Sequence, residues 1–263
     1  MSKTKSAVAV FMLIFISCAC MRHETAHFDE DALLMDSCVT CDGNGKVVER
    51  QVFYRDTAGC DTLVLQYSGD TLQGVRRSWY GEDGLLVCIA DGNQKYRYGY
   101  KNGELVSVVS RGDTVMEFDY EKDEARRTVA EEMVSRNRRS KMTHEYDAQG
   151  NAVMSTYQVM TDSVFVLISQ EENQYDDEGL LRLSMQRADD TYTKTVFEYD
   201  DGKNLVSQIV SVTDEDGEEQ VAVAKTTFNY DFENLSKEER DYFFDEEGGA
   251  VLSLVKKSYY SHK

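Results

Sequence analysis

The stretch YDAQGNAV at residues 146–153 sets the pattern for most of this chain. In it an aromatic residue is followed by an aspartate, a few polar residues, a glycine and then aliphatic residues. The aspartate accepts a local backbone hydrogen bond and opens a turn, and the glycine supplies the positive φ that closes a short hairpin loop. The stretch therefore predicts a β-hairpin, with an aromatic residue at the end of one strand and aliphatic residues in the next.

The same pattern recurs from about residue 40 to the end of the chain. The segments that flank the copies alternate as strands do, so each unit is predicted to be an aromatic strand, a tight turn and an aliphatic strand. Looser copies begin at Tyr80, Tyr100, Tyr199 and Tyr230, and a copy at Cys41 has cysteine in place of the aromatic residue. The clearest repeat-turn residues are Tyr146, Asp147 and Gly150; Tyr175, Asp176 and Gly179; and Phe244, Asp245 and Gly248.

These copies resemble the YD repeat of RHS-type proteins, and more closely the short YD-repeat-like lipoproteins of Bacteroidota. The resemblance covers roughly residues 40–260, with irregular spacing between the copies. It implies a hairpin architecture. It does not imply a toxin function, because the chain lacks the size of an RHS shell.

We predict an all-β fold, a meandering antiparallel sheet of consecutive hairpins that curls to bury its aromatic face. A closed barrel or a sandwich is the alternative, because a single open layer leaves one face wet and its edges unpaired. The aliphatic run at 164–168 favours a core that is at least locally two layers thick. Residues 123–141 fit either an amphipathic helix or two strands, at 128–134 and 140–146, and we favour the strands.

The first 20 residues are typical of an export signal. Lys3 and Lys5 precede an apolar run at 7–16, which is shorter than the roughly 20 residues of a membrane-spanning helix. The run ends in SCAC at 17–20, which resembles the lipobox of bacterial lipoproteins, where a cysteine is lipidated and becomes the first mature residue. An ordinary cleaved signal peptide is the other interpretation.

The resemblance to a lipobox implies lipidation at Cys20, with Cys18 as the alternative. We therefore predict a lipoprotein signal peptide at 1–19, a flexible tether at 20–37 and a β-hairpin repeat domain at 38–263. The lipid would hold the exported chain at the outer membrane, on the periplasmic or the cell-surface face.

The charge of the chain limits its partners. The formal net charge is −19 and the sequence holds no proline. An acidic body does not favour nucleic acid or an anionic membrane surface. The predicted partners are the membrane, through the N-terminal lipid, and a glycan or an envelope protein; no nucleic acid is predicted.

Four cysteines follow the signal, and Cys38 and Cys41 match the CxxCxGxG motif of the DnaJ zinc domain. That domain needs paired CxxC motifs, whereas Cys60 and Cys88 each stand alone. In an oxidising compartment Cys38, Cys41, Cys60 and Cys88 are candidates for structural disulfides, and the sequence does not choose their pairing. Free buried thiols, or a redox centre at Cys38 and Cys41, are the alternatives. No metal site and no cofactor are predicted.

Catalytic signals are weak. His144 is the one histidine placed to act as a base, and its neighbour Glu145 points to the opposite face of a strand. No GxSxG, HExxH or P-loop motif is present, and the carboxylates are too numerous for any pair to be singled out. We therefore predict that the protein is not an enzyme.

Five triplets of Asp, Ser or Thr, and an aliphatic residue resemble the O-glycosylation site of Bacteroidota. The same triplet arises where a turn aspartate precedes a β-branched strand start. The candidate acceptors are Thr57, Thr62, Thr71, Thr114 and Ser163.

Together these features predict a membrane-anchored extracytoplasmic lipoprotein that acts as a non-catalytic binding or structural module at the cell envelope. Tyrosine-rich strands and hairpin loops suit recognition of glycans or proteins. The alternative is a periplasmic enzyme, either a thiol-disulfide redox protein or a carboxylate hydrolase. A third interpretation is a subunit whose sheet edge pairs with a partner strand.

Overall fold

The computed structural model describes residues 33–56, 60–136, 138–188, 191–213, 220–232, 236–245 and 247–262. Every regular element in these residues is a β-strand, and they contain no helix long and apolar enough to cross a membrane. The strands are β1 Leu33–Asp42, β2 Val47–Arg55, β3 Asp61–Ser68, β4 Thr71–Tyr80, β5 Leu86–Asp91, β6 Gln94–Lys101, β7 Glu104–Ser110, β8 Asp113–Lys122, β9 Thr128–Ser135, β10 Arg138–Tyr146, β11 Ala152–Thr161, β12 Val164–Tyr175, β13 Leu181–Ala188, β14 Thr191–Tyr199, β15 Leu205–Thr213, β16 Gln220–Asp231, β17 Ser236–Phe244 and β18 Ala250–His262.

The 18 strands form one closed antiparallel barrel. Each strand pairs with its neighbours in sequence, and the barrel closes where β1 pairs with β18, with Cys38 opposite Ser258 and Asp42 opposite Leu254. The predicted all-β fold of consecutive hairpins is confirmed. The open meandering sheet is wrong, and the closed-barrel alternative is the correct one, because pairing of the first and last strands removes both edges that an open sheet would expose.

Strand β1 begins at Leu33, inside the segment predicted to be a tether. Leu33, Leu34 and Met35 pair with β18. From Ser37 onward the strand pairs on both sides, since Ser37 lies opposite Val52 of β2 and Tyr259 of β18. The predicted signal peptide and both candidate lipidation residues, Cys18 and Cys20, lie outside the described residues. Residues 123–141 contribute two strands, β9 and β10, in agreement with the favoured prediction.

The strands alternate between a more buried and a more exposed face. The face that we call the tyrosine face carries Tyr96, Tyr98, Phe118, Tyr120 and, further along the sheet, Ser140. Most of its side chains in these strands are buried or half-buried, although Met116 is exposed. The alternate residues on β6 and β8 are exposed apart from Gly99 and Val115. Because side chains converge on the concave side of a barrel, we infer that the tyrosine face lines the inside. No described side chain is fully buried, so this inside is not packed like a compact core.

Tyrosines at the ends of even-numbered strands form hydrogen bonds to the backbone of the preceding strands along one rim of the barrel. Tyr146 at the end of β10 donates its hydroxyl to the carbonyl of Thr128, at the start of β9, over 2.8 Å. This end of the barrel, where even-numbered strands end and odd-numbered strands begin, is called the tyrosine rim, and the opposite end the far rim. The same bond joins Tyr80 to Asp61, Tyr100 to Leu86, Tyr120 to Leu105, Tyr175 to Ala152 and Tyr230 to Leu205.

One five-residue turn recurs around the barrel. In the turn at Asp147, the amide of Asp147 donates to the carbonyl of Asn151 over 3.0 Å, and the amide of Gly150, at φ +96°, donates back to Asp147. The Asp147 carboxylate accepts the amide of Asn151 over 2.8 Å. The same pair of backbone bonds closes the turns that open at Asp42, Gly81, Asp123, Asp176, Asp200 and Asp245.

Glycine is not required in every copy of this turn. Gly179 and Gly248 take the left-handed position at φ +79°, but Arg126 and Lys203 occupy it at φ +64° in two other turns. The carboxylate at the first position is therefore the more constant element. Slight desolvation raises the pKa of Asp147 and Asp176, but hydrogen bonds donated to the carboxylates outweigh it and leave both pKa values lowered.

Candidate functional site

A row of hydrogen-bonding side chains crosses four adjacent strands on the tyrosine face. His144 of β10 lies opposite Ser155 of β11, which lies opposite Glu171 of β12, which lies opposite Gln186 of β13. The His144 Nδ1 atom and the Ser155 hydroxyl are 2.9 Å apart. The hydroxyl of Ser184, also on β13, donates to Glu171 Oε1 over 3.1 Å. We call these five residues the polar row.

Three hairpin turns and the register shifts beside them bring the row into register. The turn at Asp147 sets β10 against β11 so that His144 lies opposite Ser155. The next turn is a two-residue loop, with Asp162 at φ +50° and Ser163 at φ +69°, as tight hairpins require. A register shift between β11 and β12 then brings Glu171 opposite Ser155. Register follows from turn geometry and bulges, so each member of the row has a fixed neighbour.

Burial disfavours the charged forms of three groups in or near the row. Burial lowers the pKa of half-buried His144, and the nearby Glu171 carboxylate opposes that shift. Burial also raises the pKa of Glu131 on β9. It raises the pKa of Tyr120 to about 12, with Glu131 and Glu104 adding to the effect. Near neutral pH the histidine and the tyrosine therefore offer neutral hydrogen-bonding groups to a ligand.

The inner face changes character around the barrel. Between β6 and β8 it carries aromatic and aliphatic side chains, including Tyr98, Val108 and Phe118. Beyond the polar row it carries short neutral polar side chains, such as Thr193 and Thr195 on β14. An aromatic wall thus adjoins a polar wall, and such a surface suits a ligand with both apolar faces and hydroxyl groups.

The order of groups in the row differs from that of a catalytic triad. In a triad the histidine lies between the nucleophile and the carboxylate. Here Ser155 lies between His144 and Glu171, and the Glu171 carboxylate accepts a bond from Ser184. The arrangement is suited to holding donors and acceptors in place, rather than to activating a serine.

The four described cysteines are free thiols in this structure. Cys38 lies on the tyrosine face of β1 and Cys41 on the other, because strand residues three apart point to opposite sides. Their Cα atoms are about 10 Å apart at the usual strand rise, whereas a disulfide needs less than about 7 Å. A bridge or a redox pair between these two would require β1 to unfold locally.

The environment of Cys38 also argues against a reactive thiolate. Burial raises the pKa of the Cys38 thiol, although a hydrogen bond with Ser258 and the charge of Lys256 oppose that shift. Cys88 is buried on β5, and Cys60 precedes β3 at the tyrosine rim. The described residues also contain no group of three or more His, Cys, Asp or Glu side chains that could hold a metal ion.

The candidate glycosylation residues fall into two groups. Thr71, Thr114 and Ser163 are exposed at the far rim, in or just beyond tight turns. Thr62 lies at the start of β3, where its hydroxyl donates to the Tyr54 carbonyl over 3.1 Å. Thr57 lies outside the described residues. Exposure makes the three far-rim residues accessible to a modifying enzyme, whereas the hydroxyl of Thr62 is already engaged in a hydrogen bond.

Comparison with known proteins gives matches among solved structures. No family model matches the chain, and no curated protein matches it. Among solved structures, the chain is similar to a crystal structure, at 2.32 Å resolution, of a porin-like protein from Bacteroides uniformis ATCC 8492. The TM-score is 0.48 at 10% sequence identity, and the match covers 87% of this chain and 98% of that one.

Sequence reasoning considered only one member of the polar row. It weighed His144 as a base and did not single out Ser155, Glu171, Ser184 or Gln186. The turn at 147–151 was visible in the sequence, but counting outward from it pairs His144 with Met154. The register shift between Glu145 and Tyr146 places His144 opposite Ser155 instead. Neither this shift nor the one between β11 and β12 leaves a signal in the sequence, so the places of Ser155 and Glu171 could not be obtained from it.

Proposed function

We propose that this protein is an exported lipoprotein, anchored at the cell envelope through Cys20, whose barrel is a non-catalytic binding module for a hydroxyl-bearing ligand such as a glycan. The observation that carries the proposal is the polar row, which holds a histidine, a carboxylate, an amide and two hydroxyls on the inner face of four adjacent strands. The anchor and the export signal rest on the resemblance of residues 1–20 to a lipoprotein signal.

The chemistry of the row suits a neutral polar ligand. Its donors and acceptors are set by cross-strand hydrogen bonds before any ligand arrives, so little ordering is needed on binding. Glu171 and Gln186 supply acceptors and donors for hydroxyl groups. The adjoining wall, with Tyr98 and Phe118, offers ring faces on which the apolar side of a sugar ring can rest.

The distribution of charge supports attachment by a lipid rather than by strands that cross the bilayer. A barrel that spans a membrane presents an apolar band to lipid. Here the face opposite to the tyrosine face carries ion-pairing residues within the strands, including Lys141 and Glu238, which pairs with Lys257 over 3.2 Å. The tyrosine face itself carries Glu239 and Lys256 at the same level of the sheet.

The binding role can be tested on the full chain extracted from membranes in detergent. A glycan array identifies the glycan probe, and titration calorimetry then compares wild type with Glu171→Gln and Ser155→Ala. We expect each substitution to weaken binding by roughly tenfold, the effect of about one lost hydrogen bond in a built site. Glu145→Gln is the matched control, because Glu145 is the exposed strand neighbour of His144 on the other face. Equal affinity in all four proteins, or no glycan bound at all, would overturn the binding role.

The anchor is tested separately. Metabolic labelling with a radioactive fatty acid should mark wild type and Cys18→Ser, and should fail to mark Cys20→Ser. Protease treatment of intact cells then distinguishes the two faces of the outer membrane, because only a chain on the cell surface is degraded. Labelling that persists in Cys20→Ser and is lost in Cys18→Ser would move the anchor to Cys18, and labelling of none of the three would refute lipidation.

A further inference from the structure

Two neighbouring hairpins separate at the far rim and leave a cleft between their ends. Pairing of β10 with β11 begins at Ser140, opposite Val159. Strand β10 starts two residues earlier, at Arg138, which pairs with β9 alone in the part of the chain that the structure describes. Strand β11 continues for two residues beyond Val159 to Thr161, which pairs with Val164 of β12. The end of the β9–β10 hairpin is therefore not joined to the end of the β11–β12 hairpin by backbone pairing.

The space between these two ends, which we call the hairpin cleft, has a volume of about 290 Å³. Its lining combines charged, hydroxyl and apolar side chains, among them Arg138 and Arg139 of β10, Asp162 and Ser163 of the β11–β12 turn, and Val134 and Met160. Pockets for small molecules have a similar make-up, with apolar walls and a few polar groups that fix the ligand. A volume at the lower end of their range suits a small ligand.

The two arginines bring positive charge to the cleft from opposite faces of the sheet. The Arg138 guanidinium lies 5.9 Å from the ring centre of Tyr157, and the Arg139 guanidinium lies 6.0 Å from that of Phe165. Both rings belong to the β11–β12 hairpin, so cation–π attraction draws the guanidiniums of one hairpin toward the other. Arg139 also pairs with Glu132, whereas Arg138 forms no ion pair with any described residue.

The cleft offers anion donors and a hydrogen-bond acceptor at separate positions. The net charge of −19 disfavours the approach of an anion to most of the surface, but here two guanidiniums accompany one carboxylate, that of Asp162. Among the described residues no ion pair joins Asp162 to Arg138 or Arg139. A guanidinium matches the paired oxygens of a carboxylate or a phosphate, and the Asp162 carboxylate can accept hydrogen bonds from hydroxyl groups.

We propose that the hairpin cleft binds a sugar unit that carries an acidic group. The acidic group contacts Arg138 and Arg139, the ring hydroxyls donate to Asp162, and the apolar side of the ring rests on Val134 and Met160. An acidic peptide fits less well, because its carboxylates would meet Asp162 without hydroxyl groups to donate to it. The cleft is separate from the polar row, so this inference does not depend on a ligand bound there.

Titration calorimetry of the full chain in detergent tests the proposal with three sugars of the same ring, namely glucose, glucuronate and glucose-6-phosphate. We expect at least one acidic sugar to bind, and glucose to bind at least about tenfold more weakly, because glucose lacks the charge-assisted hydrogen bonds. The affinity should fall as salt is added. The tighter of the two acidic sugars identifies the acidic group as a carboxylate or a phosphate.

Substitutions assign the binding to the cleft. Arg138→Gln and Arg139→Gln should each weaken binding of the acidic sugar at least about tenfold, and they should leave circular dichroism melts almost unchanged because both side chains are exposed. Arg97→Gln is the matched control, since Arg97 is an exposed arginine on another strand, β6. Glu171→Gln should bind the acidic sugar as tightly as wild type, so failure of the polar row and failure of the cleft are distinguishable.

The proposal is overturned if neither acidic sugar binds at concentrations up to roughly 10 mM, a weak-affinity limit. It is also overturned if glucose binds as tightly as the acidic sugars, or if Arg138→Gln binds them like wild type. Inorganic phosphate that binds as tightly as glucose-6-phosphate, in the absence of glucuronate binding, would overturn it too, because the sugar ring would then contribute nothing.

Discussion

Replacing Tyr146 with phenylalanine isolates the contribution that one hydrogen bond of the tyrosine rim makes to the stability of the barrel. The substitution removes the hydroxyl that donates to the Thr128 carbonyl over 2.8 Å. It keeps the ring, over which the Arg127 guanidinium lies 4.6 Å from the ring centre. The change in stability therefore reports the hydrogen bond alone, without a cavity and without loss of the cation–π contact.

The expected loss is about 1 kcal/mol for this one bond, the usual net value for a partly buried hydrogen bond. The tyrosines that repeat it lie on alternate strands, about 10 Å apart at normal strand spacing, so their contributions should add. Replacing all six hydroxyls should cost about 6 kcal/mol, which is comparable with the whole stability of many domains. The full-rim variant has phenylalanine at Tyr80, Tyr100, Tyr120, Tyr146, Tyr175 and Tyr230.

Urea unfolding followed by circular dichroism measures these losses from the midpoint and slope of each transition. Tyr54→Phe is the matched control, because Tyr54 is 49% exposed and its hydroxyl makes no hydrogen bond within the described residues. The reasoning is refuted if Tyr146→Phe and Tyr54→Phe have the same midpoint. It is also refuted if the full-rim variant loses no more than the single one.

Three further outcomes follow from the same geometry. Gly150→Ala should destabilise the barrel by about 1–2 kcal/mol, because Gly150 lies at φ +96°, while Gly74→Ala, which requires no positive φ, should change the urea midpoint little. The pKa of His144 is lowered in the fold. The neutral imidazole should therefore contribute to stability above about pH 6.5, and this contribution should be lost as the pH falls through the folded-state pKa. Over that pH range the urea midpoint of His144→Gln should fall less steeply than that of wild type. Mass spectrometry after oxidation with glutathione disulfide should find no bridge between Cys38 and Cys41, and a bridge formed in the native fold would contradict their placement on opposite faces of β1.

Local structure in this protein could be predicted from the sequence because its turns are short and chemically distinct. The Asp147 carboxylate and the positive φ of Gly150 act within five residues, so the hairpin at 146–153 needs no distant partner. Strands β9 and β10 could also be predicted from local sequence. Their alternation of apolar and polar residues favoured two strands over an amphipathic helix. Each of these features depends on contacts close in the chain.

Closure of the barrel depends on contacts that the sequence does not mark. Strand β1 pairs with β18 more than 200 residues away in the chain, with Val39 opposite Lys257. Residues 33–37 are mixed in character and carry no aromatic–aspartate pattern, so the sequence favoured a tether there. Their strand form follows from pairing with β18, which Ser37 supplements by pairing with β2. A segment whose conformation is imposed by its neighbours cannot be identified from its own periodicity.

The repeated turn is accompanied by a bulge that bends the sheet. This bend connects the sequence pattern to closure of the barrel. At several turns of the tyrosine rim, the pairing shifts by one residue just before the turn, as between Glu145 and Tyr146 and between Gln174 and Tyr175. Such a bulge bends the strand that carries the extra residue and increases its local twist. The extra residues here, Val153 and Arg182, lie at the start of the strand that follows each turn. A tyrosine hydroxyl of the next strand then bonds to such a start, as Tyr175 does to the Ala152 carbonyl. Register shifts also occur near the far rim, as between Thr40 and Cys41. Bends at both rims therefore curl the sheet until its first and last strands meet. The aromatic residue and the aspartate of each copy therefore determine curvature together, whereas either alone would specify only a hairpin.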